Sequence, residues 1–145
     1  MADICYITIL DAVNIHRETI KNSGGGALGH FDLGRLESVL QNIQNDEYYP
    51  TFADKLAHLF FCTCKFHCFE DGNKRIAITL SAHFLLINGY MSVARTFLSE
   101  MENISYHVAA GKIDKALLLE IMNSILKGRY HEDEGLKLEI YLAIL

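Results

Sequence analysis

Between Asn73 and Asn88 the chain reads NKRIAITLSAHFLLIN, with no glycine or proline, and this stretch constrains the fold more than any other. Wound as an α-helix, it places Ile76, Ala77, Leu80, Phe84 and Ile87 on one side, while Ile78, Ala82, Leu85 and Leu86 cover much of the rest. A helix that is apolar nearly all round has to be enclosed by others, so it belongs in the middle of a bundle. Asn88-Gly89 stops it.

The rest of the sequence supplies the enclosing helices. Thr8 with Asp11 resembles a capping box, and Val13, Ile15 and Ile20 carry a first helix to about Asn22. Ser23-Gly24-Gly25-Gly26-Ala27-Leu28-Gly29 breaks the chain. Asp32-Leu33-Gly34 opens the next helix, with Leu36, Val39, Leu40 and Ile43 as its stripe, and the segment ending in Pro50 closes it. Thr51 caps a third, with Phe52, Leu56, Leu59, Phe60 and Thr63 on one face, closing near Lys65. Further helices are expected over 96–110, 114–127 and from 134 to the end. Ile4-Cys5-Tyr6-Ile7 reads as a short strand or as the lead-in to a helix. The expectation is an all-α, compact bundle of about six to seven helices around the buried one. Residues 1–145 form one domain, with 128–145 an added helix or docking tail.

Half of the 145 residues are hydrophobic and Pro50 is the single proline, which suits a compact helical core. A net charge of −5 and a pI near 5.7 argue against a nucleic-acid binder held by bulk electrostatics, so any polyanion contact is local. Met1-Ala2-Asp3-Ile4-Cys5 has no basic region, Asp11 interrupts the early apolar run, and no segment is apolar enough to span a bilayer. A cytoplasmic protein without membrane contact is expected. Its cysteines (Cys5, Cys62, Cys64, Cys68) then remain reduced thiols. Cys62 and Cys64 with His67 and Cys68 invite a zinc reading, but on a helix Cys62 and Cys64 point about 200° apart, so buried small hydrophobes fit better.

The chemistry concentrates immediately before the central helix, in His67-Cys68-Phe69-Glu70-Asp71-Gly72-Asn73-Lys74-Arg75. This run packs a candidate base, a metal-type carboxylate, a flexible glycine and two cations into one loop and helix start. Lys74 and Arg75 fall in the first helical turn, at the positive end of the macrodipole, where each cation costs about 0.3–1 kcal/mol. An anion docked on the helix N-terminus explains that placement, because it draws in both amides and cations. The run reads as a phosphate site.

The pattern HxFx(D/E)GNKR resembles the signature of the Fic/Doc family, and its Lys74-Arg75 ending resembles the Doc (death-on-curing) toxin branch. The glycine-rich loop, the Asp32-Leu33-Gly34-Arg35 helix start and the Leu85-x-x-Asn88-Gly89 helix end share the resemblance, which extends over about residues 10–119. It implies a Fic-fold helical domain that moves part of a nucleoside triphosphate, bound as ATP with Mg²⁺, onto a hydroxyl of a target protein. His67 is then the general base, its ordinary pKa near 6.5 keeping it mostly neutral; the rival reading is a structural histidine. Asp71 would hold Mg²⁺ through hard carboxylate oxygen, with helix N-cap as the alternative. Gly72 lets backbone amides approach the anion, Asn73 donates to phosphate oxygen or caps the helix, and Arg75 offers a bidentate fork. Lys65 stands where Doc carries a basic residue; the rival is a solvated side chain. Phe69 is a core anchor on either reading.

Lys74 decides the branch. Fic proteins that transfer AMP have glycine there and a second arginine where this chain has Ile78. Doc-like proteins share both departures and are phosphotransferases, which a lysine beside a transferring phosphoryl group suits. Gly72 points the other way, since it matches the AMP-transferring type where Doc has alanine. The resemblance thus implies a kinase-like toxin of a toxin–antitoxin pair acting on a Ser/Thr hydroxyl of a translation factor. AMPylation and a catalytically idle binding module are the alternatives.

Weaker signals frame this reading. Gly24-x-Gly26-x-x-Gly29 matches a dinucleotide fingerprint but follows a helix rather than a strand; by resemblance it is a flap that aligns the target segment, and a plain loop is the rival. Tyr130-His131-Glu132-Asp133-Glu134-Gly135 is the nearest match to a self-inhibiting Fic helix, with tyrosine in place of the hydroxyl residue, and reads better as a charged loop. A separate antitoxin is therefore expected. Leu136, Leu138, Ile140, Tyr141 and Leu145 are core or docking surface, and His16, His30, His58, His83, His107 and His131 show no metal-like clustering.

Overall fold

A computed structural model describes residues 3–22, 26, 32–66 and 73–145. Among these residues seven α-helices follow one another: α1 Ile9–Asn22, α2 Leu33–Asn42, α3 Phe52–Lys65, α4 Asn73–Ile87, α5 Met91–Ala109, α6 Lys115–Leu126 and α7 Glu134–Ile144, with a 3₁₀ turn Tyr130–Glu132 before the last. The protein is an all-helical bundle, and α4 lies at its centre against α1, α3 and α5.

Most helix starts carry their own polar cap. Thr8 and Asp11 bond reciprocally at 3.3 and 3.1 Å, as do Thr51 and Asp54 at 3.1 Å each. Asp32, Asp114 and Asp133 accept from the N–H of Arg35, Leu117 and Leu136. Each such cap contributes about 1 kcal/mol. The stripes foreseen for α2 and α3 are buried, apart from half-buried Phe52. In α1 the innermost side chains are Ala12, His16 and Ile20, with Val13 and Ile15 half-buried at the flanks.

One open alternative is settled and two expectations need correction. No strand occurs among the described residues: residues 3–8 are the lead-in to α1. A strand needs a neighbouring strand, whereas both main-chain groups of Cys5 are taken by one side chain. Its N–H donates to Asn88 Oδ1 at 2.8 Å and its carbonyl accepts from Asn88 Nδ2 at 2.9 Å. Next, α5 starts at Met91 rather than near Thr96, because its N-cap, Tyr90, makes no side-chain cap bond and so leaves no cap signature in the sequence. Finally, α4 is not enclosed along its whole length: Leu86 and Ile87 are 42% and 37% exposed where its last turn emerges. The alternative of a hairpin flap at 24–29 falls outside the described residues except for Gly26.

The most buried cation has no local sequence signature. Lys55 on α3 is 0% exposed, and its ammonium donates to Ile43 O and to Asp46 Oδ1, both at 2.7 Å. It ties the end of α2 to α3, and a buried charge held this way is strongly destabilising to unpair. The C-terminal stripe divides: Leu136 is core, Ile140 is half-buried, and Leu138 and Tyr141 on α7 are exposed, as is Leu145 just past its end. Tyr130 is buried, its phenol pushed above the usual range by burial and by Glu100. No described helix is long and apolar enough to cross a membrane.

Candidate functional site

The helices α3 and α4 run antiparallel, joined across 66–72, so the end of one and the start of the other share one face of the bundle. Phe52 at the far end confirms the pairing by stacking on Phe84 at 4.8 Å and on Tyr90 at 4.6 Å. At the near end, α4 opens with Asn73 half-buried, Lys74 exposed and Arg75 half-buried, and its first turn carries no acidic residue. The positive end of the helix dipole and two cations therefore present positive potential together.

Lys65 completes the charge from the last turn of α3. Its ammonium lies 5.7 Å from the Phe61 ring centroid and beside Gly111, where an added Cβ would come within 3.7 Å of Nζ. Gly111 turns the chain after α5 at φ +79°, a conformation glycine adopts without strain. Lys65 and Lys74 also bear on one buried atom. Burial pushes the Cys64 thiol up to about 12, and the charges of Lys74 and Lys65 pull it the other way. The charges of two lysines thus act on the same thiol, one from α3 and one from α4. Cys62 faces elsewhere, its sulfur 3.6 and 3.7 Å from the ring nitrogens of His58.

Arg75 borders a cleft of about 540 Å³ between α1 and α4, which it shares with Ile15, Glu18, Thr19, Ile78 and Thr79. Thr79 Oγ1 donates to the Arg75 carbonyl at 3.2 Å and meets Thr19 Oγ1 at 2.8 Å, so the backbone under Arg75 is braced against α1. Ile78 contributes apolar wall to this cleft.

Of the residues singled out in the sequence, Lys65, Asn73, Lys74 and Arg75 are brought to this face. His67, Asp71 and Gly72 lie outside the described residues. Sequence reading missed two neighbouring contacts, Arg35 over the Phe66 ring and a cluster around His58. In that cluster Lys115 Nζ sits 2.6 Å from His58 Nδ1, and Tyr49 Oη sits 3.2 Å from Nε2. Desolvation first, and Lys115 second, lower the His58 pKa from 6.5 to about 4. The ammonium donates to Nδ1, so the neutral ring carries its proton on Nε2. His58 and Lys115 are 57 positions apart, and no local pattern announces such a contact.

Comparison with known proteins joins this geometry to a lineage. The family model described as Fic/DOC family matches residues 6–85, a span that includes the whole loop and nearly all of α4. Toxin Doc of Mycolicibacterium smegmatis is 32% identical over 108 residues, covering 69% of this chain and 83% of that protein.

Proposed function

The chain belongs to the Fic/DOC family, and from that premise we propose that it is a Doc-like toxin that transfers the terminal phosphate of ATP to a Ser/Thr hydroxyl of a target protein. The observation that carries this reading is Lys74. It places a cation in the first turn of α4, where the macrodipole disfavours one, and the charge of Lys65 at the end of α3 acts with it on the Cys64 thiol.

The donor set fits a magnesium-bound triphosphate. Asp71 offers the hard carboxylate oxygen such a cation takes, and Asn73, Lys74, Arg75 and Lys65 offer donors and positive charge to phosphate oxygens. ATP with Mg²⁺, when bound, supplies the phosphoryl group and shields its charge. His67 takes the proton from the attacking hydroxyl, because a neutral imidazole is an effective base near pH 7. Gly72 lets the loop amides approach the anion, and Lys74 stabilises the charge that builds on the transferring group. Ile78 favours phosphate over AMP transfer, since it puts an apolar wall where AMP-transferring relatives of this kind carry a second arginine. Gly72 is the one residue that favours AMP transfer. The proposed target class is a translation factor, and the proposed regulator a separate antitoxin protein.

Incubation with γ-labelled and, separately, α-labelled ATP and a cytosolic extract tests the reading. Protein-bound label from γ alone, abolished by His67→Ala, is expected. Label from α instead means AMP transfer. No transfer of either label, with equal growth arrest by wild type and His67→Ala, leaves a binding module.

A further inference from the structure

The motif loop begins where α3 ends, and the residue at that junction is held from another helix. Phe66 closes α3: its N–H donates to Cys62 O at 2.8 Å, and its backbone turns extended at φ −91°, ψ 124°. The ring is half-buried against the core, and the Arg35 guanidinium lies over it, 4.4 Å from the centroid. Phe66 and Arg35 line one open cleft of about 460 Å³, shared with Asp32, His58 and Cys62. A ring that borders a cleft is not fixed by core packing alone, and the guanidinium supplies contact on the open side.

Arg35 is an unfavourable residue for its own helix. It sits in the first turn of α2, where the dipole disfavours a cation by about 0.3–1 kcal/mol. Asp32 offsets this cost. One carboxylate oxygen accepts the Arg35 N–H at 3.0 Å, and the other lies 3.9 Å from Nε, tethering the side chain without covering it. A cation kept at the wrong end of a helix, and tethered with its face on an aromatic ring, points to a role beyond α2.

We infer that Arg35 is a positioning residue. By stacking on Phe66 it sets the direction in which the chain leaves α3, immediately before His67 in the sequence, the proposed base. This rests on the transfer reaction proposed above. An exposed cation–π contact contributes only about 0.5–1 kcal/mol to stability. Displacing a reacting group by about 1 Å costs on the order of 100-fold in rate. The contact therefore matters more for turnover than for folding.

The test is a double-mutant cycle on label transfer with Arg35→Ala, Arg35→Lys, Phe66→Leu and the Ala/Leu pair, with hydrogen exchange of peptide 66–73 measured on the same proteins. Arg35→Ala is expected to lower kcat about 10-fold while KM for ATP stays within about twofold, and Arg35→Lys to recover most of the loss. The double variant is expected to be no slower than Phe66→Leu alone. Exchange across 66–73 quickens in Arg35→Ala and Phe66→Leu, while α6 peptides are unchanged. Fully additive losses, or wild-type exchange in Arg35→Ala, overturn the inference. Wild-type protein that transfers no label sinks the proposed reaction instead. Exchange then decides on its own whether Arg35 holds the junction: faster exchange at 66–73 supports it and no change overturns it.

Discussion

The two ends of α4 are built to opposite standards. At the C-terminal end Gly89, at φ +85°, donates to Leu86 O at 3.2 Å, and Tyr90 donates to Leu85 O at 3.0 Å, which together close a Schellman motif. Asn88 adds three bonds, accepting from Cys5 N–H and donating to the carbonyls of Cys5 and Phe84. At the N-terminal end the first turn itself carries no acidic residue, and Lys74 and Arg75 stand against the dipole. The helix is anchored by one end so that the other can hold an electrostatically unfavourable arrangement in place. That division matches what a reacting site needs from its scaffold.

The sharpest way to break this comparison is to damage the anchored end and ask whether the whole fold follows. Phe84 is 0% exposed, stacks on Phe52 and lies tilted against Tyr6. Phe84→Ala should cost about 3–5 kcal/mol in urea unfolding, as deletion of a buried ring does. A loss below about 1 kcal/mol would mean that this end is not the anchor. Asn88→Ala should cost less, about 1–3 kcal/mol, through the loss of its bonds to residue 5 and to Phe84 O. Proteolysis within residues 3–8 should quicken with it; unchanged cleavage there would show that the Asn88 bonds do not hold the lead-in.

How far the sequence reveals these features depends on the range of the interactions. Caps such as Thr51–Asp54 and the Asn88-Gly89 stop are written within a few residues, and so are the stripes of α2 and α3, so these elements are legible. Tyr90 starts α5 without a polar cap, so that boundary is not. The pairing of Cys5 with Asn88 spans 83 positions, and in isolation the apolar run Ile4-Cys5-Tyr6-Ile7 looks as much like a strand as a lead-in. At the site, the cations of α4 are legible because they violate the dipole rule locally. Arg35 over Phe66 and Lys115 on His58 join separate helices, and neither follows from spacing.

The helix α3 runs the other way, with its capping box and Phe52 at the anchored end and, at the other, Phe66 and Lys65, a cation that its dipole favours. His58 lies between and offers a pH test of that body. Its folded pKa of about 4 lies below the ordinary 6.5, so between these values the unfolded chain binds the extra proton. Stability from this group is therefore present above pH 6.5 and is lost as pH falls toward 4. His58 is only half-buried, so solvent screening cuts the effect to about 1–2 kcal/mol. His58→Gln should flatten the stability profile over that window by the same amount. Parallel profiles for variant and wild type would show that the Tyr49–His58–Lys115 cluster does not exclude the proton.

The smallest stability effect carries the most meaning, because its sign separates the two ends. Removing a cation from the first turn of a helix relieves an unfavourable interaction, so Lys74→Gln should raise stability by about 0.3–1 kcal/mol. The same change should lower γ-label transfer on the order of 100-fold, since it removes charge from where a transferring phosphoryl group needs it. Most substitutions move folding and activity together; this one should move them in opposite directions. If Lys74→Gln destabilises the protein, the lysine is structural and α4 has two anchored ends. If it stabilises the protein and label transfer persists, the positive tip of α4 serves something other than the phosphate, and the contrast between the ends loses its functional meaning.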